Sequence, residues 1–397
     1  MKNFDQPSGH ILPIIVIAQF LCTSTWLAGN AVVHDLMLAY DLDISVMGHI
    51  TSAVQFGFIS GTLFFAALTI ADRYAPSKVF FASAFSAAVF NGSVIFGHQS
   101  FFTILIFRFL TGFFLAGIYP VGMKIASDYY KKGLGHALGY LVGALVIGSA
   151  FPHLVKSFSG GMPWKDVLTV TSGFSATGGL LMILFIKDGP YRKKNSSLNL
   201  TAFLNVFQYK TFRSAAFGYF GHMWELYTFY AFIPLIIMTY LKEHPGVAIN
   251  TSQWTFFIIG IGGLACIGGG YISRKIGSLK TARSALSLSG ICCLFFPFIF
   301  GLPETMFQLY LLFWGMMVVA DSPQFSTLVA QNAPDEIRGT AMTIVNCIGF
   351  AITIISIEII TFLLDYITPQ YIMLFLAIGP FLGTLALKQP GIEKYHA

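Results

Sequence analysis

Charge is what this sequence has least of. Lysine and arginine number 23 and aspartate and glutamate 17, together 10% of 397 residues, where a soluble domain carries about 25%. Disorder needs high charge and little apolar content, so it is excluded. Cysteine is scarce as well: the five (Cys22, Cys266, Cys292, Cys293 and Cys347) all fall inside apolar segments. None forms a spaced ligand pair, which excludes a disulfide scaffold and reads as reduced packing residues. The glycine-rich run GIGGLACIGGG (260–270) is followed by no Gly-Lys-Ser/Thr, and the nine histidines form no H-E-x-x-H. No Ser/His/Asp constellation stands out. No enzyme, cofactor or metal site is therefore expected. A net charge of +6 would suit nucleic acid only if the basic residues clustered on one solvated face; here they lie in short loops, so no nucleic-acid partner is expected. The opening MKNFDQPSGH lacks a basic n-region and a small-residue cleavage site, so the first apolar run is expected to stay in the protein.

What the chain has in quantity is apolar surface: 55% hydrophobic and 16% aromatic residues, with a mean hydropathy of +0.72. Single soluble cores stop growing at about 250–300 residues, so the chain reads as a polytopic membrane protein. A spanning helix needs about 20 mostly apolar residues. Twelve stretches qualify: 11–36, 46–70, 79–97, 101–126, 134–156, 167–186, 213–240, 252–273, 282–301, 306–330, 340–364 and 370–387. Their continuity argues against a barrel, whose strands alternate over about 10 residues. The expected fold is all-α and integral to the membrane, with twelve transmembrane helices.

Lysine and arginine orient these spans. With both termini inside, the inner segments hold eighteen of the 23 and the outer loops only Lys156, Lys165 and Lys242. Both termini are therefore expected in the cytoplasm. The expected organisation is an N-terminal bundle over 1–186, a cytoplasmic linker over 187–212 and a C-terminal bundle over 213–397. Within the linker, Leu200, Phe203, Leu204 and Phe207 recur at helical spacing, so Leu198–Phe207 reads either as a short interfacial helix or as solvated chain.

The two halves repeat weakly. Segment 61–78 aligns with 263–280, setting Asp72-Arg73 over Arg274-Lys275; Pro120 aligns with Pro323, and Gly135-His136-Ala137 with Gly339-Thr340-Ala341. Steady offsets argue for a duplicated six-helix unit, hence two pseudo-symmetric six-helix bundles with a site between them near the midplane.

On these features the chain resembles the major facilitator superfamily over its whole length. The loop after helix two is similar to the family's G-x-L-a-D-R-x-G-R-K signature through Asp72 and Arg73, with Leu68, Ala75 and Pro76 replacing both glycines and a basic residue. Helix four resembles the R-x-x-x-G motif through Arg108 and Gly112. In helix five Gly139 and Gly148 match the drug:proton antiporter signature, but Pro152-His153 stand where Gly-Pro belongs. The resemblance implies gating roles for Asp72, Arg73, Arg274 and Lys275 at the cytoplasmic loops, and involvement of Arg108 in proton transfer.

Ionisable groups within a bilayer cost about 2.5–3.5 kcal/mol on insertion scales, so each is a functional candidate. Glu225, in FGHMWELYTFY, leads: near the middle of helix seven, beside His222, Trp224 and Tyr227. A carboxyl there can take up and release protons, or serve as a structural group bonded to a neighbouring helix. Asp321, before Ser322-Pro323, handles protons or pairs a cationic or polar side chain. Arg108 keeps its charge at any physiological pH and needs a carboxylate, a carbonyl cluster or an anionic substrate. Glu358 partners Arg108 or marks a boundary; Asn30 bonds a ligand or another helix; Lys124 reads as snorkelling. The expected function is secondary active transport of a small polar organic solute by alternating access, proton-coupled, with import favoured. Proton-coupled efflux is the alternative, and a non-transporting scaffold a remote one. The expected partners are solute, proton and lipid bilayer, and the expected state is a monomer in a plasma membrane of bacterial inner-membrane type.

Overall fold

The structure is a computed structural model that describes residues 9–97, 100–130, 134–192, 206–334 and 337–388. Among these no strand occurs. The chain divides into two compact units, Met1–Asp43 with Ala53–Leu198, and Ile44–Ser52 with Asn199–Ala397.

The first unit is built from α1 (Ile11–Thr23), α2 (Ala28–Ala31), α3 (Val33–Tyr40), most of α4 (Val46–Ala67), α5 (Ile70–Arg73), α6 (Pro76–Ser93), α7 (Phe101–Leu115), α8 (Tyr119–Tyr129), α9 (Leu134–Ser157) and α10 (Trp164–Phe185). The second holds α11 (Lys210–Glu243), α12 (Thr251–Ile276), α13 (Ser278–Phe295), α14 (Glu304–Ala320), α15 (Ser322–Asn332), α16 (Arg338–Leu363), α17 (Pro369–Ile372) and α18 (Ile378–Ala386). The first turns of α4, through Ser52, group with the second unit.

Among the described residues ten helical stretches are long and apolar enough to cross a membrane, where twelve were expected. The other two are explained by their residues. The stretch at 11–36 is not one helix: α1 has 13 residues, about 20 Å at 1.5 Å per residue, short of a 30 Å hydrocarbon core. Thr23, Ser24 and Thr25 turn their hydroxyls back onto the carbonyls of Gln19, Leu21 and Cys22 at 2.9, 2.7 and 2.9 Å, and such back-bonding bends or ends helices. The other, α6, is a full-length helix whose sequence PSKVFFASAFSAAVFNGS is diluted by serine, asparagine and lysine.

Helices four and ten are each split at the prolines that the repeat aligns. The α7–α8 break precedes Pro120 and the α14–α15 break precedes Pro323. A proline lacks the N–H that would return to the carbonyl four residues back. At the second break that carbonyl, on Val319, accepts from Cys266 Sγ at 3.2 Å.

Close packing depends on glycine. On α11, Gly221 faces the backbone of Gly379 and Gly383 on α18 so closely that a Cβ would overlap the Gly379 carbonyl. Gly112 on α7 meets the carbonyl of Val54 in the same way, so within the R-x-x-x-G motif the glycine serves contact between helices. Gly139 has open space around it, and the tight position on α9 is Gly148, against Thr23 and the Phe20 carbonyl.

The start of the expected linker is packed rather than free. Arg192 pairs with Asp188 and donates to the carbonyls of Tyr74 at 2.7 Å and Asp72 at 3.3 Å, while Tyr129 donates to the Lys187 carbonyl at 2.8 Å. Residues 193–205, with most of the expected interfacial helix at Leu198–Phe207, lie outside the described residues.

Candidate functional site

In the second unit the site grows from α11. This helix has 34 residues and its central part is buried on nearly every side, so side chains that would face lipid on an ordinary span face other helices. Glu225 is 1% exposed. Its Oε1 accepts three hydrogen bonds: Ser289 Oγ at 2.5 Å, Trp314 Nε1 at 2.6 Å and Cys293 Sγ at 3.3 Å. Ser289 and Cys293 sit four residues apart on α13 and so present both donors to one side; Trp314 comes from α14. The indole is wedged against Phe229, Phe296 and Tyr310, with ring centroids 4.7, 5.6 and 6.2 Å away. All three bonds converge on one oxygen, and Oε2 receives none of them.

One turn back on α11, His222 Nδ1 lies 2.8 Å from Asp321 Oδ1, with both side chains 1% exposed. The two atoms pair with each other, while His222 Nε2 and Asp321 Oδ2 are buried without a hydrogen-bond partner. The Tyr230 hydroxyl, on the same helix, is likewise buried and unbonded. Asp321 owes its place to the break before Pro323: it sits between α14 and α15, at the N-cap of α15. Unspent polar atoms in an apolar interior are costly and mark where a proton or a polar solute gains most.

The first unit holds a different cluster. Arg108 is fully buried and donates to Asn91 Oδ1 at 2.7 Å and to the carbonyls of Thr25 and Trp26 at 2.9 and 2.7 Å. The unwinding between α1 and α2 is what frees those carbonyls. Asn91 in turn donates to Thr171 Oγ1, Ser172 Oγ and the Leu168 carbonyl at 3.1, 2.9 and 3.3 Å. The guanidinium thus ties α7 to α6, α10 and the break after α1. Of the three partners expected for it, the structure supplies the carbonyl cluster.

The remaining expected residues are placed as follows. Glu358 pairs with His49 at 3.0 Å, both about a third exposed, on the turns of α4 that belong with the second unit. Trp224 donates its indole N–H to the Phe375 carbonyl at 3.2 Å, a structural contact. Tyr227 packs its ring on Tyr230 and Phe350, 5.9 and 5.4 Å away. Asn30 is buried in the four-residue α2. Asp72 forms an ion pair with Lys124 at 2.7 Å. Arg73 donates to Thr69 Oγ1 at 3.0 Å. Arg274 lies over the Tyr271 ring, 5.4 Å from its centroid, and Lys275 is exposed in the last turn of α12.

Sequence reasoning missed Ser289 and Cys293 as partners of Glu225, and Asn91 as partner of Arg108. It also passed over Gln19, Gln55 and His153 in the first unit, which are buried and carry side-chain atoms with no hydrogen-bond partner. Two glutamines within apolar spans were a visible signal. Among the described residues no group of three or more His, Cys, Asp or Glu side chains could hold a metal ion.

Against known proteins, the family model described as Major Facilitator Superfamily matches residues 15–357. Among solved structures, a bacterial homologue of the human lysosomal transporter Spinster, inward-facing and unoccupied, aligns with a TM-score of 0.67 at 14% identity, covering 98% of this chain and 100% of that one. The human organic anion transporter MFSD10 (TETRAN) aligns with a TM-score of 0.70 at 15% identity, covering 96% and 100%. No curated protein matches the chain by sequence.

Proposed function

The chain belongs to the major facilitator superfamily, and from that premise we propose that it is a proton-coupled carrier importing a small polar organic solute by alternating access, with Glu225 as the proton-carrying group. The observation that carries this reading is the asymmetry of the Glu225 carboxyl. Three donors hold Oε1, which fixes the group's orientation whether or not it is ionised, while Oε2 stays available for a proton. Burial penalises the charged form and three donors favour it, so the two states compete. His222 and Asp321, one turn away with unspent polar atoms, form the adjoining station through which a proton or a polar group of the solute engages. The buried, unbonded amides of Gln19 and Gln55 in the first unit suit a polar solute. The departure at Pro152-His153 from the antiporter signature in helix five favours import over efflux.

The test uses purified protein in vesicles with an imposed proton gradient. Glu225→Gln keeps the size and an oxygen acceptor but cannot titrate. We expect it to exchange solute in counterflow at a rate within about threefold of wild type while failing to concentrate solute against a gradient. Accumulation at the wild-type level would remove Glu225 from coupling and pass the role to Asp321. Gradient-driven uptake in vesicles of inverted orientation only would reverse the direction to efflux.

The proposed orientation, with both termini cytoplasmic, rests on the positive-inside bias. It predicts that a cysteine at Lys280 labels from the cytoplasmic side and one at Asn250, at the opposite end of α12, from outside. Labelling of Lys280→Cys by an impermeant reagent added outside would invert the topology.

A further inference from the structure

We propose that the outer face of α13, with the end of α12, is a binding site for one anionic phospholipid. Between Glu243 and Glu304 the sequence contains no acidic residue, so the cations of this region have no carboxylate on their own helices. Three of them, Lys275, Lys280 and Arg283, line one open groove of about 710 Å³ with Ser284, Ser287, Ile276 and Leu288. Gly277 makes the groove possible. At φ 89° it joins α12 directly to α13, a backbone conformation that side-chain-bearing residues rarely adopt, and it brings Lys275 beside Lys280.

The order of side chains along α13 identifies the ligand. Lys280, Arg283, Ser284, Ser287 and Leu288 recur at spacings of three and four, so they share one face of the helix. That face continues through Ile291, Leu294 and Phe295, which are 48%, 57% and 57% exposed. It therefore passes from cations to hydroxyls to apolar side chains within about 22 Å, from Lys280 to Phe295 at 1.5 Å per residue. An inorganic anion would use the first part only and a neutral lipid the last part only. An anionic phospholipid matches the whole sequence: phosphate on the cations, glycerol at the serines, one acyl chain along Leu288 to Phe295. Basic pockets between spanning helices recognise anionic headgroups in this way. With the orientation proposed above, the lipid belongs to the cytoplasmic leaflet; the site itself does not depend on that orientation or on the transport reading.

Native mass spectrometry of the full chain in detergent tests this with dioleoyl phosphatidylglycerol, dioleoyl phosphatidylcholine and glycerol 3-phosphate as probes. Phosphatidylglycerol should be retained as a single adduct and phosphatidylcholine should not. Each of Lys275→Gln, Lys280→Gln and Arg283→Gln should weaken retention about fivefold, while Lys280→Arg restores it. Leu288→Asn should weaken retention of the lipid without changing the response to glycerol 3-phosphate. All four side chains are exposed, and an unchanged elution profile confirms that the variants fold. Equal retention of phosphatidylcholine, or undiminished retention by the triple glutamine variant, would overturn the site. Binding of glycerol 3-phosphate as tight as that of phosphatidylglycerol would reduce it to an anion site and overturn the lipid assignment.

Discussion

Arg108 carries a permanent charge in the interior of the first unit, where Asn91 and two backbone carbonyls answer it. That arrangement depends on the planar guanidinium, whose fork of donors spans two carbonyls in the break after α1 and an amide on α6. Lysine brings a point charge that reaches only part of this set, and each acceptor left unmet costs about 1–3 kcal/mol. Arg108→Lys is therefore expected to lower the thermal midpoint in detergent by several degrees and to reduce transport at least tenfold. Wild-type behaviour in both assays would make Arg108 a generic positive charge. At this scale the site is only partly legible before folding. A lone carboxyl or guanidinium within an apolar run is conspicuous, so Glu225, Asp321 and Arg108 could be read directly. Their partners could not: Ser289, Cys293 and Asn91 are ordinary in small-residue helices, and 64 and 68 residues separate the first two from Glu225.

Helices in this protein are defined as much by where they stop as by where they run. The break after α1 was hidden because hydropathy does not register hydroxyls folded back onto their own helix, so Ile11 to Leu36 reads as one span. The breaks before Pro120 and Pro323 were within reach, since both prolines stand at equivalent points of the repeat. Between elements, the contact of α11 with α18 is set by glycine, and it yields a paired prediction. Gly221→Leu places a side chain against the Gly379 carbonyl and should cost about 1–3 kcal/mol through overpacking, read as a lowered thermal midpoint. Gly139→Leu on α9 enters open space and should leave the midpoint unchanged. Equal effects at the two positions would mean that the α11–α18 contact yields freely.

For the whole molecule, composition alone was enough for fold class, because an apolar fraction of 55% with 10% charge has few solutions other than a bundle of spanning helices. The repeat then pointed to the family that the match over 15–357 identifies. What composition could not resolve is how the apolar surface is divided. Most spans bury part of their surface and leave the rest for lipid, but α11 is buried almost all round, and this is why Glu225 has three donors around it.

That burial has a consequence for how the chain is made. Synthesis proceeds from the N-terminus, so α11 leaves the ribosome before Ser289, Cys293 and Trp314 exist. In that interval Glu225 has none of its donors, and exposing it to lipid alone would cost on the order of 2.5–3.5 kcal/mol. The helix most buried in the finished unit thus enters the bilayer with a polar cost that its own residues do not offset. That cost is relieved only when α13 and α14 bring Ser289, Cys293 and Trp314 to the carboxyl, which makes the order of helix release a part of how this fold is reached.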